Sequence, residues 1–260
     1  MQFGLELEFG DIDLSKTPPA GCSYSTTEYD VVNSTGLAAD PKGDKVKFGG
    51  EINTSPTDTI QGQIDQFKAC NVAYPEATIN HRLHLHCHVS YPGIRENADL
   101  MKKLLRYTIK NSPDALNATF NPHKHPHMNT SAWKYQIVDR TVMPDWKAQF
   151  CYLSNTPDEF KRAHGTIKDG SYNSLTIKRF AVNLYSIFKH GTVEFRHFFP
   201  TLDPEEVESC LEYCKRFVEE GIGDQKPVTE ILKERKFKFP KAVPFSFELE
   251  DGWQKTNFKK

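Results

Sequence analysis

The sequence predicts an α+β protein in which a mainly antiparallel sheet is backed by helices, and two observations carry this. Residues 1–10, 45–53, 82–91 and 193–199 alternate apolar and polar side chains with the two-residue period of a strand. Between and after them, residues 56–71, 96–110, 156–164 and 203–220 carry helix signals. These are the Ser55-Pro56 start, a stripe of Leu100, Leu104, Leu105 and Tyr107, and Asp203 placed to cap a run that opens with Glu205 and Glu206.

In chain order, the first strand turns Leu5, Leu7 and Phe9 to one side and Glu6 and Glu8 to the other. Residues 11–27 form a loop rich in Pro, Gly, Ser and Thr, and Glu28 to Val32 reads as a short strand. Val46, Phe48 and Ile52 mark the next strand, and the first two helices flank the strand at 82–91. Residues 111–155 hold four prolines, several aromatics and the run His123-Lys124-His125-Pro126-His127, which together predict a long functional loop with short helical pieces. His123, His125 and His127 read as solvated loop residues. Leu175 to Ile187 stands between strand and helix, and 240–260 reads as a peripheral tail. No internal repeat or long linker divides the chain, so one domain over 1–260 is expected.

Composition narrows the function classes. Hydrophobic residues make up 38% and charged residues 26%, the balance of an ordinary soluble protein. Thirty-three basic residues against thirty-four acidic ones leave a net charge of −1, which gives no general grip on nucleic acid or on an anionic membrane. No apolar run has the length of a membrane span, and the opening strand has neither the basic nor the apolar region of a secretory leader. The six cysteines are scattered, with only Cys210 and Cys214 close together at i,i+4, so reduced thiols and a cytoplasmic location are expected.

The chemistry lies on the polar faces of three strands. Glu6 and Glu8 project together, as do His84, His86 and His88, and as do Glu194 and Arg196. Exposed strand faces ordinarily mix Lys, Thr, Ser and Gln with acids, whereas these carry Glu and His almost throughout. Two carboxylates at i,i+2 lie about 7 Å apart and repel by about 2 kcal/mol at an effective dielectric near 20. Adding Glu51 and Glu194 to the same concavity raises that cost. Divalent cations would offset it, and an oxygen-rich site with an imidazole suits Mg²⁺ or Mn²⁺. Arg196 beside Glu194, and Arg179 on the preceding element, would bind phosphate oxygens that the metals also touch. Metals and arginines facing one anion describe phosphoryl transfer. With no Walker A, GxGxxG or GxSxG sequence present, any ATP must bind on a sheet face.

Taken in order, Glu6-x-Glu8, Gly49-Gly50-Glu51-Ile52, His86-x-His88, Arg179-x3-Asn183 and His190-Gly191-Thr192-Val193-Glu194-Phe195-Arg196 resemble the amidoligase branch of the glutamine synthetase-like carboxylate–amine ligases. The resemblance runs from residue 4 to about 203. It implies a sheet curved into a half-barrel, helices on its convex side and an ATP–metal site in the concavity of a single catalytic domain. Glu6, Glu8, Glu51, His86 and Glu194 would be metal ligands. Arg179, Arg196 and Glu51 would act on the reacting groups, and Arg179, Arg196, His88 and Asn183 would contact ATP. The implied reaction is activation of a carboxylate by ATP to an acyl phosphate, then attack by an amine. The substrate pair could be amino acid, peptide, polyamine or modified nucleotide, and 111–155 would serve as a lid that excludes water.

Two other readings stand beside this one. His84, His86 and His88 could serve a zinc hydrolase, although their i,i+4 span of about 13 Å lets at most two imidazoles meet one ion. Alternatively, the acidic face is merely solvated and the protein binds without catalysis.

Overall fold

The computed structural model describes residues 1–25, 50–79, 83–119, 153–165 and 181–241. Arg179, the 28–32 strand, His123, His125 and His127, and most of the 240–260 tail lie outside these residues. The described elements are strands β1 (Phe3–Phe9), β2 (Cys22–Tyr24), β3 (Gly50–Thr54), β4 (Leu85–Ser90), β5 (Val182–Asn183) and β6 (Thr192–Phe198). The helices are α1 (Ile60–Ala73), α2 (Ala98–Thr119), α3 (Pro157–Gly165), α4 (Ser186–His190), α5 (Pro204–Ile222) and α6 (Val228–Glu234). The fold is α+β.

The strands form one six-stranded antiparallel sheet in the order β2-β3-β1-β4-β6-β5. It is neither closed nor strongly curled, in contrast to the half-barrel curvature expected. Alternation sorts its faces. Phe3, Leu5, Leu7 and Phe9 of β1, Cys87 and Val89 of β4, and Val193 and Phe195 of β6 are buried in one core with α1, α2 and α5. Phe67 and Cys70 of α1, Met101 and Leu104 of α2, and Phe217 of α5 fill that layer from the other side. Gly221 lets α5 meet α2 closely, since a Cβ there would stand 2.7 Å from Leu104 Cδ1.

Two helix boundaries differ substantially from the sequence expectation, and others by one or two residues. The first helix begins at Ile60, because residues 55–57 stay extended: Phe3 N donates to Thr57 O at 2.8 Å and Thr57 N donates to Phe3 O at 3.0 Å. Thr59 is the cap, its hydroxyl accepting from Gly62 N. The wholly buried amide of Gln63 fixes this corner. Its Nε2 donates to Phe3 O, Ser55 O and Thr57 Oγ1, and its Oε1 accepts from Thr54 Oγ1 at 2.6 Å.

The second helix runs on to Thr119, so the first nine residues of the predicted 111–155 loop are helical. Buried Asn111 explains the continuation. Its Nδ2 donates to Tyr107 O within the helix and its Oδ1 accepts from Val228 N at the start of α6. Residues 120–152 lie outside the described residues. The fifth helix begins where expected: Asp203 Oδ1 accepts from Glu205 N at 2.9 Å, and Pro204 occupies the first helical position. It ends two residues past Glu220, at Ile222.

Among the described residues, no helix is long and apolar enough to cross a membrane.

Candidate functional site

The polar face of the sheet forms the floor of a cavity of about 860 Å³. Glu6 reaches it from β1, Glu51 from β3, His88 from β4, Asn183 from β5, and Glu194 and Arg196 from β6. The antiparallel register brings these side chains together. Glu6 lies opposite His86, Glu8 opposite Glu51, and Glu194 opposite both His88 and Asn183.

At the centre, His86 Nδ1 is 2.7 Å from Glu6 Oε2 and 3.9 Å from Glu194 Oε1. Ligand atoms of Glu6, His86 and Glu194 all lie within 4.8 Å of one another, close enough to hold one cation. Glu8 and Glu51 stand outside this group. Glu8 Oε1 is 4.0 Å from His86 Nε2, while its Oε2 accepts from the backbone N of His84 at 2.7 Å, tying it to the entry of β4. Glu51 is buried on the cavity wall.

His88 Nε2 lies 3.1 Å from Glu6 Oε1, and its Nδ1 lies 3.0 Å from the Thr192 hydroxyl, which also bonds Ser186 Oγ at 3.2 Å. Thr192 thus orients His88. It sits in the His190–Arg196 string that the sequence singles out, but was not named there as a site residue. His84 stacks on His86 with ring centroids 6.2 Å apart, and of the three alternating imidazoles only His86 belongs to the metal-capable group.

Glu194 is held from two sides: Asn183 Nδ2 donates to its Oε2 at 2.7 Å, and the Arg196 guanidinium donates to its Oε1. Arg196 shares the cavity face with Glu194 by strand parity, and a bulge sits beside it. Leu85 pairs with Phe198 but Cys87 pairs with Phe195, which leaves one extra residue on β6. Within the bulge His197 faces inward like Phe195, its Nδ1 donating to Ala181 O at 3.0 Å while Arg196 N donates to the same carbonyl at 2.8 Å, and Phe198 beyond it returns to the core. The skip from Val193 and Phe195 to Phe198 was the signal for this bulge in the sequence.

The charges support one another. Burial raises the Glu6 carboxyl, but hydrogen bonds and charges from His86 and His88 outweigh it and hold Glu6 well below the usual carboxylate range. Burial opposes ionisation of Glu194 too, and the charge of Arg196 carries it down. His88 loses solvation, yet Glu6 and then Glu194 keep its imidazolium above the ordinary value. The floor therefore presents ionised oxygens, imidazole nitrogen and one guanidinium. Such a set can bind a divalent cation and, beside it, an anion.

The mouth of the cavity carries Tyr24 and Ser25 on the β2 side, and Arg95, Tyr185, Lys189 and His190 on the other. Burial and then the neighbouring Lys189 depress the His190 imidazole. Compared with known proteins, the chain matches no family model and no curated protein.

Proposed function

We propose that the chain is an ATP- and divalent-metal-dependent carboxylate–amine ligase of the amidoligase type. The observation that carries this reading is the convergence of Glu6, His86 and Glu194 within 4.8 Å, with the Arg196 guanidinium on Glu194 in the same cavity. On this reading the sheet, with acids on its open face and helices on the other, is the frame of a glutamine synthetase-like catalytic domain.

The donor set fits Mg²⁺ or Mn²⁺: two carboxylates held ionised and one imidazole. Glu6, His86 and Glu194 would hold the ion, with Glu8 and Glu51 within the same strand network. A cation bound there would neutralise phosphate oxygens of ATP. Arg196 offers its fork of donors to a phosphate oxygen, and Arg95 and Lys189 add positive charge at the mouth. Asn183 keeps Glu194 in place, and Thr192 keeps His88 in place.

A carboxylate oxygen of the first substrate attacks the γ-phosphorus of ATP, and ADP leaves. The amine nitrogen of the second substrate then attacks the acyl carbon, and inorganic phosphate leaves with the bonding pair. The amine loses its proton to a carboxylate of the wall, for which Glu51 is the candidate.

The test is incubation with ATP, Mg²⁺ and panels of carboxylates and amines, followed by mass spectrometry. The expected result is ADP, phosphate and a new amide in equal amounts, abolished by a chelator. ADP without any amide, or ATP binding by calorimetry that ignores the chelator, would defeat the reading.

A further inference from the structure

A second chemically competent pair lies behind the cavity wall, apart from the metal-capable cluster. Cys22 on the edge strand β2 and Cys70 on α1 place their sulfurs 3.6 Å apart. Cys22 is half-buried and reachable from solvent, while Cys70 is wholly buried. The hydrogen bond between them divides their chemistry. The Cys70 thiol lowers the proton affinity of Cys22, whereas that same bond and burial push Cys70 far above the usual thiol range. Cys22, the more exposed of the two, is thus the sulfur placed to attack.

We propose that Cys22 and Cys70 form a thiol–disulfide exchange site that takes a low-molecular-weight disulfide as its oxidant. The Cys22 thiolate attacks one sulfur of the small disulfide, forming a mixed disulfide and expelling one small thiolate, which takes up a proton. Cys70 then gives up its proton and attacks Cys22 Sγ, forming the Cys22–Cys70 bond and expelling the second small thiol. Two protein thiols are oxidised and one small disulfide is reduced to two thiols. An S–S bond is about 2.0 Å long, so the two sulfurs must approach by about 1.6 Å from their 3.6 Å separation.

The modification acts on the cavity wall. Among the described residues, strand β2 pairs with β3 alone, with Cys22 opposite Thr54 and Tyr24 opposite Ile52. Tyr24 and Ser25 line the cavity, and the Tyr24 hydroxyl lies 2.5 Å from that of Tyr74 just after α1. A Cys22–Cys70 bond ties this edge strand covalently to the helix behind it. The proposal rests on the sulfur geometry and stands independently of the ligase reading.

The experiment exposes the folded full-length chain to glutathione mixtures of increasing oxidised fraction. Free thiols are then alkylated in denaturant, and the digested protein is mapped by mass spectrometry. Wild type is expected to yield the linked Cys22–Cys70 peptide and to melt several degrees higher once it forms. Cys70→Ser is expected to stop with glutathione on Cys22, and Cys22→Ser to leave Cys70 unmodified. Both thiols remaining alkylatable in wild type under fully oxidised glutathione overturns the site. So does glutathione appearing on Cys70 in Cys22→Ser. The wild-type map needs no variant, and circular dichroism confirms that Cys22→Ser is folded before its map is read.

Discussion

Glu6 faces His86 across the β1–β4 ladder and binds two imidazoles at once, His86 through Oε2 at 2.7 Å and His88 through Oε1 at 3.1 Å. One carboxylate therefore sets the position of both rings and contributes to the metal-capable group. Glu6→Gln keeps the shape and removes the charge. It is expected to weaken Mn²⁺ binding by at least about tenfold, the lower bound for disturbing groups around a metal. Electron paramagnetic resonance of free Mn²⁺ measures the affinity, and circular dichroism checks the fold. Unaltered affinity in a folded variant would show that Glu6 holds no ion.

Arg196 separates a phosphate-binding role from a structural ion pair. Arg196→Lys keeps the charge but loses the two-donor fork. In the ligase reading the lost transition-state contact is worth about 2–4 kcal/mol, so ATP-dependent product formation should fall by roughly a hundredfold or more. As a structural partner of Glu194 alone, Arg196 would affect stability rather than turnover, since Lys keeps a positive charge beside that largely buried carboxylate. A drop below fivefold at matched folded concentration counts against the phosphate role.

Burial pushes the His197 imidazole down from its ordinary 6.5 to about 4, against the support of its bond to Ala181 O. The unfolded chain then takes up a proton near pH 6.5 that the folded chain refuses until about 4. Stability from this group is present above the higher value and is lost as pH falls between the two, by about 3 kcal/mol in all. His197→Phe cannot protonate, so urea denaturation at pH 7 and pH 4.5 should show a smaller acid loss than in wild type. An equal loss in both proteins would remove His197 from the acid response.

Gln63 makes four hydrogen bonds inside the corner where β1, β3 and α1 meet. Gln63→Met preserves length and removes all four bonds, leaving Phe3 O with Thr57 N and Ser55 O with Gln66 Nε2. Losing four buried hydrogen bonds, each worth about 0.5–1.5 kcal/mol net, predicts a loss of about 2–4 kcal/mol. Equilibrium urea unfolding measures it, and a change under about 0.5 kcal/mol would mean that water replaces the amide.

Much of the site was legible because strand parity is a strict rule: Glu6, His86, His88, Glu194 and Arg196 share one face by counting in twos. Parity could not separate Glu6 from Glu8. What separates them is a backbone N–H, that of His84, which reaches Glu8 from 76 residues away. Asn183 entered through its motif as an ATP contact, and its bond to Glu194 was not legible in the sequence. The start of α1 was misread because Ser55-Pro56 carries a genuine local helix signal that pairing with Phe3 overrides. The end of α2 was misread because Asn111-Ser112-Pro113 looks like a stop, whereas the partner that makes Asn111 helical is Val228 N. In each case a contact distant in sequence outvoted a local propensity.

The ladder that builds the site also dictates when the site can exist. Glu6 meets His86 across 80 residues of chain, and His88 meets Thr192 across 104. Closing such long loops comes before the contacts that reward it, so strand pairing of this kind belongs to the slow part of folding. A ribosome that has made β1 and β4 has supplied Glu6 and His86 but not Glu194, and synthesis proceeds at about 5–20 residues per second. The emerging chain therefore carries an incomplete donor set for several seconds. Its two halves become one site only when β6 docks beside β4.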